Sequence, residues 1–280
     1  MWIWLVLLYG LLKGGREIVK KKSLEKNSVL EVLILYTLLS FVFVLPTIPH
    51  VGGVQPKIMF FIAIKSLVIF TAWILSFKAI RQMPVSLYGI IDLSRVVFAT
   101  VLGVLIIGEE MGIPQIIGLV MVCVGLVLCN RKKNIDDEKV KVRIVIYTLI
   151  SCFLNAVSGV MDKILTKDVN STQLQFWYTG FLVLYYLIYI LVTREKIHFW
   201  KALKNYWIWI LAIMFVIGDK ALFIANQMPE SKVTVMTLIK QSCCIVTILA
   251  GKLVFKEKNI VYKLVCALVI VAGIAIATVF

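Results

Sequence analysis

An all-α integral membrane protein is the fold class this sequence predicts, with ten transmembrane helices arranged as two inverted five-helix repeats. Three observations lead there. The chain is 61% hydrophobic and only 16% charged, with a mean hydropathy of +0.97, whereas a soluble domain is about half apolar and about a quarter charged. Its apolar residues gather in runs long enough to cross a bilayer as helices. A short string also recurs, QMPVS at 82–86 and QMPES at 227–231, a shift of 145 residues between positions 82 and 227.

Hydrocarbon offers backbone amides no partner, so membrane spans are helices or closed barrels. The runs are continuous and lack the ten-residue alternation of barrel strands, which leaves helices. The first span, 2–19, rests on the apolar MWIWLVLLYGLL. A cleaved signal peptide would carry charge before its apolar run; here Lys13, Arg16 and Lys20 follow it, so the segment reads as a retained span. Spans 29–47 and 58–80 come next, the latter with Lys65 and a central Trp73. The fourth, 85–107, opens after Pro84 and holds Asp92 and Arg95; the fifth is 113–130. After a basic linker at 131–143, RKKNIDDEKVKVR, the second half repeats the scheme. Its spans are 144–165 with Asn155, 173–193, 206–227 with Asp219 and Lys220, 232–254 with Thr237 and Lys240, and 259–279. The expected units are therefore residues 1–130, the linker, and residues 144–280.

At the same shift Gly14 falls on Gly159, Glu17 on Asp162 and Arg95 on Lys240. The acidic ends GEE (108–110) and FKE (255–257) align after a slip of two. Five spans per half is an odd number, so the second half enters the membrane upside down. Loop charges agree. In the first half the first and third loops are basic (Lys20, Lys21, Lys22, Lys26; Lys78, Arg81), and the second and fourth are not. In the second half the bias moves to the second and fourth (Arg194, Lys196, Lys201, Lys204; Lys256, Lys258). Because Lys and Arg collect in cytoplasmic loops, the linker is expected in the cytoplasm and both termini outside. The same rule accounts for the net charge of +15 without nucleic acid.

Cys123, Cys129, Cys152, Cys243, Cys244 and Cys266 lie within apolar runs and form no CxxC pair, while His50 and His198 stand apart. Neither metal nor cofactor is expected. No phosphate loop, nucleophile elbow or other catalytic motif occurs, so the chain does not read as an enzyme.

The segments QMPVSLYGIIDLSRVVFATVLGVLIIGEE and QMPESKVTVMTLIKQSCCIVTILAGKLVFKE, with Pro opening and Glu closing the fourth span of each repeat, resemble the EamA-type transporters of the drug/metabolite transporter superfamily. The resemblance covers the whole chain and implies a secondary transporter with a cavity between its halves. The location it implies is the cell membrane of a prokaryote. That family resembles proteins with cytoplasmic termini; the charge bias here points the other way.

An ionisable group deep in a span is costly and faces a partner or a cavity. Arg95, with Asp92 one turn earlier, and Lys240, with Thr237 on the same face, are therefore the leading substrate-binding residues, joined by Asn155 and Trp73. Asp219 and Lys220 are candidate proton-coupling groups or charge partners. Arg16–Glu17 and Asp162–Lys163 read as solvated helix ends, and Glu109, Glu110 and Glu257 as binders of helix ends or interfacial groups. The expected activity is alternating-access transport of a small anionic or zwitterionic metabolite, with a proton or second solute as candidate co-substrate. Export of cations over Asp92, Asp219 and Trp73 is the alternative within transport, and a non-transporting membrane partner the alternative outside it.

Overall fold

The computed structural model describes residues 2–108, 111–131, 141–240, 243–256 and 260–279. Among them there are helices and turns and no strand. Glu109, Glu110, Glu257, Lys258 and most of the basic linker lie outside the described residues.

The first half contains α1 (Trp2–Leu24), α2 (Val29–Val44), α3 (Pro56–Gln82), α4 (Val85–Asp92), α5 (Arg95–Leu102) and α6 (Ile113–Arg131). The second contains α7 (Val142–Leu165), α8 (Ser171–Thr193), a short α9 (Phe199–Leu203), α10 (Tyr206–Gln227), α11 (Val233–Lys240), α12 (Cys243–Leu253) and α13 (Ile260–Val279). Among the described residues, six helical stretches are long and apolar enough to cross a membrane: Val29–His50, Pro56–Gln82, Val85–Ile107, Val142–Leu165, Ser171–Thr193 and Tyr206–Gln227. Shorter apolar helices accompany them, including Ile113–Gly125, Cys243–Leu253 and Leu264–Gly273.

Local chemistry sets several boundaries. Ser28 and Glu31 form a capping box at the start of α2, and Asn170 and Gln173 do the same for α8. Pro84 caps α4 in extended conformation and holds Met83 extended before it. Pro229 lies instead in a turn, four residues ahead of α11.

Two expectations need correcting. The first span runs to Leu24, and its charged half is interior: Lys13, Glu17 and Lys20 are all buried. Lys20 is thus no loop lysine. The fourth span is broken at its centre, α4 from α5, while residues 241–242, between α11 and α12, lie outside the described residues. At the break the amides of Leu93, Ser94 and Val96 bond three residues back, to Ile90, Ile91 and Leu93. That tightened turn marks a hinge more often than a continuous rod.

The packing exchanges the two repeats. α1 packs on α10 as α7 packs on α3, α10 meets α2 as α3 meets α8, and α1 lies on α12 as α7 lies on α5. α2 pairs with its counterpart α8, and α6 with α13. α4 meets α12 while α5 meets α11, so the fourth and ninth spans run antiparallel. Inverted repeats require this geometry.

α6 and α13 approach through reciprocal glycines. A Cβ on Gly125 would collide with Ile270 Cγ1, and one on Gly273 would fall 2.8 Å from the Gly118 carbonyl. Small residues allow such contact in membranes. Gly273→Leu should push the helices apart and cost about 1–3 kcal/mol; unfolding of the purified protein in detergent measures it, and an unchanged midpoint would mean the notch is not needed.

The basic connections collect at one end. Asn205, before α10, donates to Ser23 O and Asn27 Oδ1, and the His198 amide donates to Glu31. Lys21 reaches Met83 O, and with Lys22 it lies over the Phe255 ring. At the opposite end Gln173 donates to Gly52 O and Gln227 to Val169 O.

The recurring QMPxS strings now have a structural role. Each forms the turn into the fourth span of its repeat, and each is held by a lysine from the first helix of its own repeat. Lys21 of α1 bonds Met83 O at 2.5 Å, and Lys163 of α7 bonds Met228 O at 3.1 Å and Ser231 Oγ at 2.6 Å.

Candidate functional site

A cavity of about 100 Å³ lies at the centre, where α1, α3, α7 and α10 surround the fourth and ninth spans. Its walls carry charge in pairs. Asp92, at the end of α4, binds Lys13 at 2.5 Å and Arg95 at 2.7 Å. Arg16 binds Asp219 at 3.1 Å, Lys20 binds Glu17 at 2.8 Å, and Lys65 lies 3.0 Å from Asp162. Arg16–Asp219 joins α1 to α10, and Lys65–Asp162 joins α3 to α7, repeating the symmetry of the packing.

Lys240 differs from the other bases. Its side chain is buried, yet among the described residues no carboxylate lies within 4 Å of its Nζ. Its nearest aromatic contact is the Tyr9 ring, 5.8 Å to the centroid. Arg95 spends only part of its fork on Asp92, because its buried Nε has no hydrogen-bond partner. Both residues line the cavity.

Aromatic faces line the rest. Lys65 Nζ stands 3.4 Å from the Tyr178 ring centroid, and Lys20 stands 4.7 Å from that of Phe77. Such contacts support cations away from water. Trp73 packs against Tyr36 and Phe215 at 5.3 and 5.2 Å between centroids.

Of the residues singled out from sequence, Arg95, Lys240, Thr237, Asn155, Trp73 and Asp219 all border the cavity. Asp92 stands behind Arg95 and Lys13 as their shared counter-ion. Asp219 pairs with Arg16 and does not reach Lys240. Lys220 turns away and donates to Thr172 Oγ1 on α8, so it is no cavity residue. Arg16, Glu17 and Asp162, read as solvated ends, are interior charges held in ion pairs. Lys13 and Lys20 were missed altogether as site residues. A signal for them existed: Tyr9, Lys13, Arg16 and Lys20 recur at helical spacing and share one face.

Fold and site together define a helical membrane protein of inverted repeats enclosing a charged central cavity, an architecture of secondary carriers. Comparison with known proteins agrees: the EamA-like transporter family matches residues 1–131 and again 142–279. The chain belongs to that family. No curated protein sequence matches it. A solved crystal structure of a protein superposes with a TM-score of 0.69 over 96% of this chain and 98% of that one, at 14% identity. At that identity the likeness concerns the fold alone.

Proposed function

We propose that this protein is a secondary active transporter that moves a small anionic or zwitterionic metabolite through the central cavity by alternating access. The observation that carries the reading is Lys240, a buried base on the cavity wall with no carboxylate within 4 Å among the described residues. Burying a charge in a membrane is costly, and a solute that brings the missing negative charge gives this one a use. Cation export fits less well. Among the described residues, every acid at the cavity (Glu17, Asp92, Asp162, Asp219) already has a base within 4 Å.

An asymmetry between the repeats supports alternating access. A Cβ on Gly14 of α1 would fall 2.7 Å from Val246 Cβ of α12, whereas one on its counterpart Gly159 of α7 would meet nothing within 4 Å. In inverted repeats the two end states exchange the roles of the halves. In the opposite state α7 closes on α5 at Gly159 while α1 parts from α12 at Gly14. Gly159→Leu is then expected to leave the fold intact and stall transport by filling the notch. Transport at the normal rate would show that this notch does not close.

Ten crossings in two five-span units, residues 1–130 and 144–280 around the cytoplasmic linker, complete the reading, with both termini outside. Its test is cysteine labelling in a background without native cysteines. Lys26→Cys is expected to react only after permeabilisation and Glu230→Cys from outside; the reverse pattern would place the termini in the cytoplasm. Transport itself is tested by uptake into liposomes holding the purified protein, and no uptake of any solute class would sink it.

A further inference from the structure

We infer that Asp162 carries a proton that accompanies the solute, bound on its carboxylate and moved in the same direction. This rests on the reading of the cavity as an alternating-access transport site and names its coupling group. The first observation is how the acids at the cavity are held among the described residues. Lys20 donates to both oxygens of Glu17, the Arg16 guanidinium donates to Asp219, and Lys13 and Arg95 both donate to Asp92. Asp162 has Lys65 Nζ 3.0 Å from its Oδ1, off the line of a hydrogen bond, and that buried oxygen accepts none. A proton on Asp162 therefore displaces no hydrogen bond. Lys65 stays supported meanwhile on the Tyr178 and Phe223 rings.

Position gives that proton a use. Asp162 borders the cavity one turn after Gly159, on the side of α7 where an added Cβ would meet nothing within 4 Å. Its counterpart Glu17 lies one turn after Gly14, where α1 is closed on α12. Closure of α7 on α5 changes the surroundings of Asp162, so proton and gate bias each other. The charges acting on Asp162 are Lys65 on α3, Lys240 on α11 and Asp219 on α10. Tyr178 on α8 lies against Lys65, while Asp92 of α4, with Arg95 of α5, stands beside Cys152, earlier on α7. Of the acids, Asp162 acts most strongly on Lys240. Ionised, it competes with an anionic group for that lysine and repels it; protonated, it does neither. Proton and anion thus favour each other's binding. The proton comes from water on one side, forms an O–H bond at Asp162, and returns to water on the other side when that bond breaks. With a monoanion the cycle moves no net charge.

Two measurements on the purified full chain test this. Infrared difference spectra between alkaline and mildly acidic detergent should show a protonated-carboxyl band that is missing from Asp162→Asn. Coincident spectra for wild type and variant overturn the inference. The second uses liposomes, with labelled lactate as a monoanion and labelled alanine as a zwitterion. An inward proton gradient should drive accumulation of label by the wild type. Asp162→Asn should lose accumulation altogether yet still exchange label, at a rate that no longer follows pH. Asp162→Glu should regain both the accumulation and the pH profile. An acid with a structural role alone would lose exchange along with accumulation. Accumulation by Asp162→Asn under the gradient, or wild-type exchange indifferent to pH, overturns the inference. A wild type that exchanges neither probe nor any other solute would instead sink the transport reading, and the spectra still decide whether Asp162 takes the proton.

Discussion

Asp92→Asn should unfold the protein more readily than any other single change at the cavity, at a cost of about 3–5 kcal/mol. Asp92 is buried and serves two bases at once, Lys13 on α1 and Arg95 at the start of α5. An amide of the same shape keeps the volume but leaves both cations without the carboxylate that neutralises them. Breaking a buried pair costs more than replacing it with apolar groups, because the orphaned charge remains desolvated. The double change Asp92→Asn with Lys13→Met should therefore recover part of the loss, since it removes one of the two orphans. Midpoints of thermal unfolding for the single and double variants check this. If Asp92→Asn were as stable as the wild type, the ion pairs would not be what holds α1 against the broken rod.

Asp92 also shows how far the sequence could be read. Its depth in an apolar run marked it, as it marked Arg95, Lys240 and Asp219, because a charge inside an 18-residue apolar window stands out against its neighbours. Lys13 escaped for the opposite reason. From residue 13 onward α1 carries so many charges that it reads as the start of a basic loop. Only the surrounding helices α10, α12, α11 and α3 turn that half into an interior rod. Hydropathy measures a segment against lipid, and the charged half of α1 is largely covered by protein. The break after Asp92 was hidden for another reason. Leu93 and Ser94 are ordinary residues, and the turn there follows from hydrogen bonds three residues back that no periodicity reports. Neighbouring residues on a helix point about 100° apart, so sequence alone does not say which of Asp219 and Lys220 faces inward; Asp219 borders the cavity and Lys220 bonds Thr172 on α8. The inverted repeat was legible because it leaves two independent traces, the shifted QMPxS strings and the alternating loop charge.

Lys240→Met should do the reverse of Asp92→Asn: transport falls by about thirtyfold or more, while the folded protein becomes no less stable. Lys240 is buried, lies on the cavity wall, and has no carboxylate within 4 Å among the described residues. Removing it takes away a desolvated charge with no close counter-ion, and methionine fills similar volume with apolar atoms, so its unfolding midpoint should stay level or rise. Stability and activity commonly trade against each other at sites maintained for function. Opposite signs for the two measurements are the signature of a binding group, since a structural lysine would lose stability along with transport. Arg95→Lys sharpens the assignment. It keeps the charge near Asp92 but loses the planar fork and the unpartnered Nε, so it should also impair transport where recognition uses two donors of one guanidinium. Uptake into liposomes and unfolding in detergent, measured on the same preparations, give both signs. Normal transport by both Lys240→Met and Arg95→Met would remove these bases from the site and return Asp219 and Trp73 to first place as an acidic, aromatic seat for a cation.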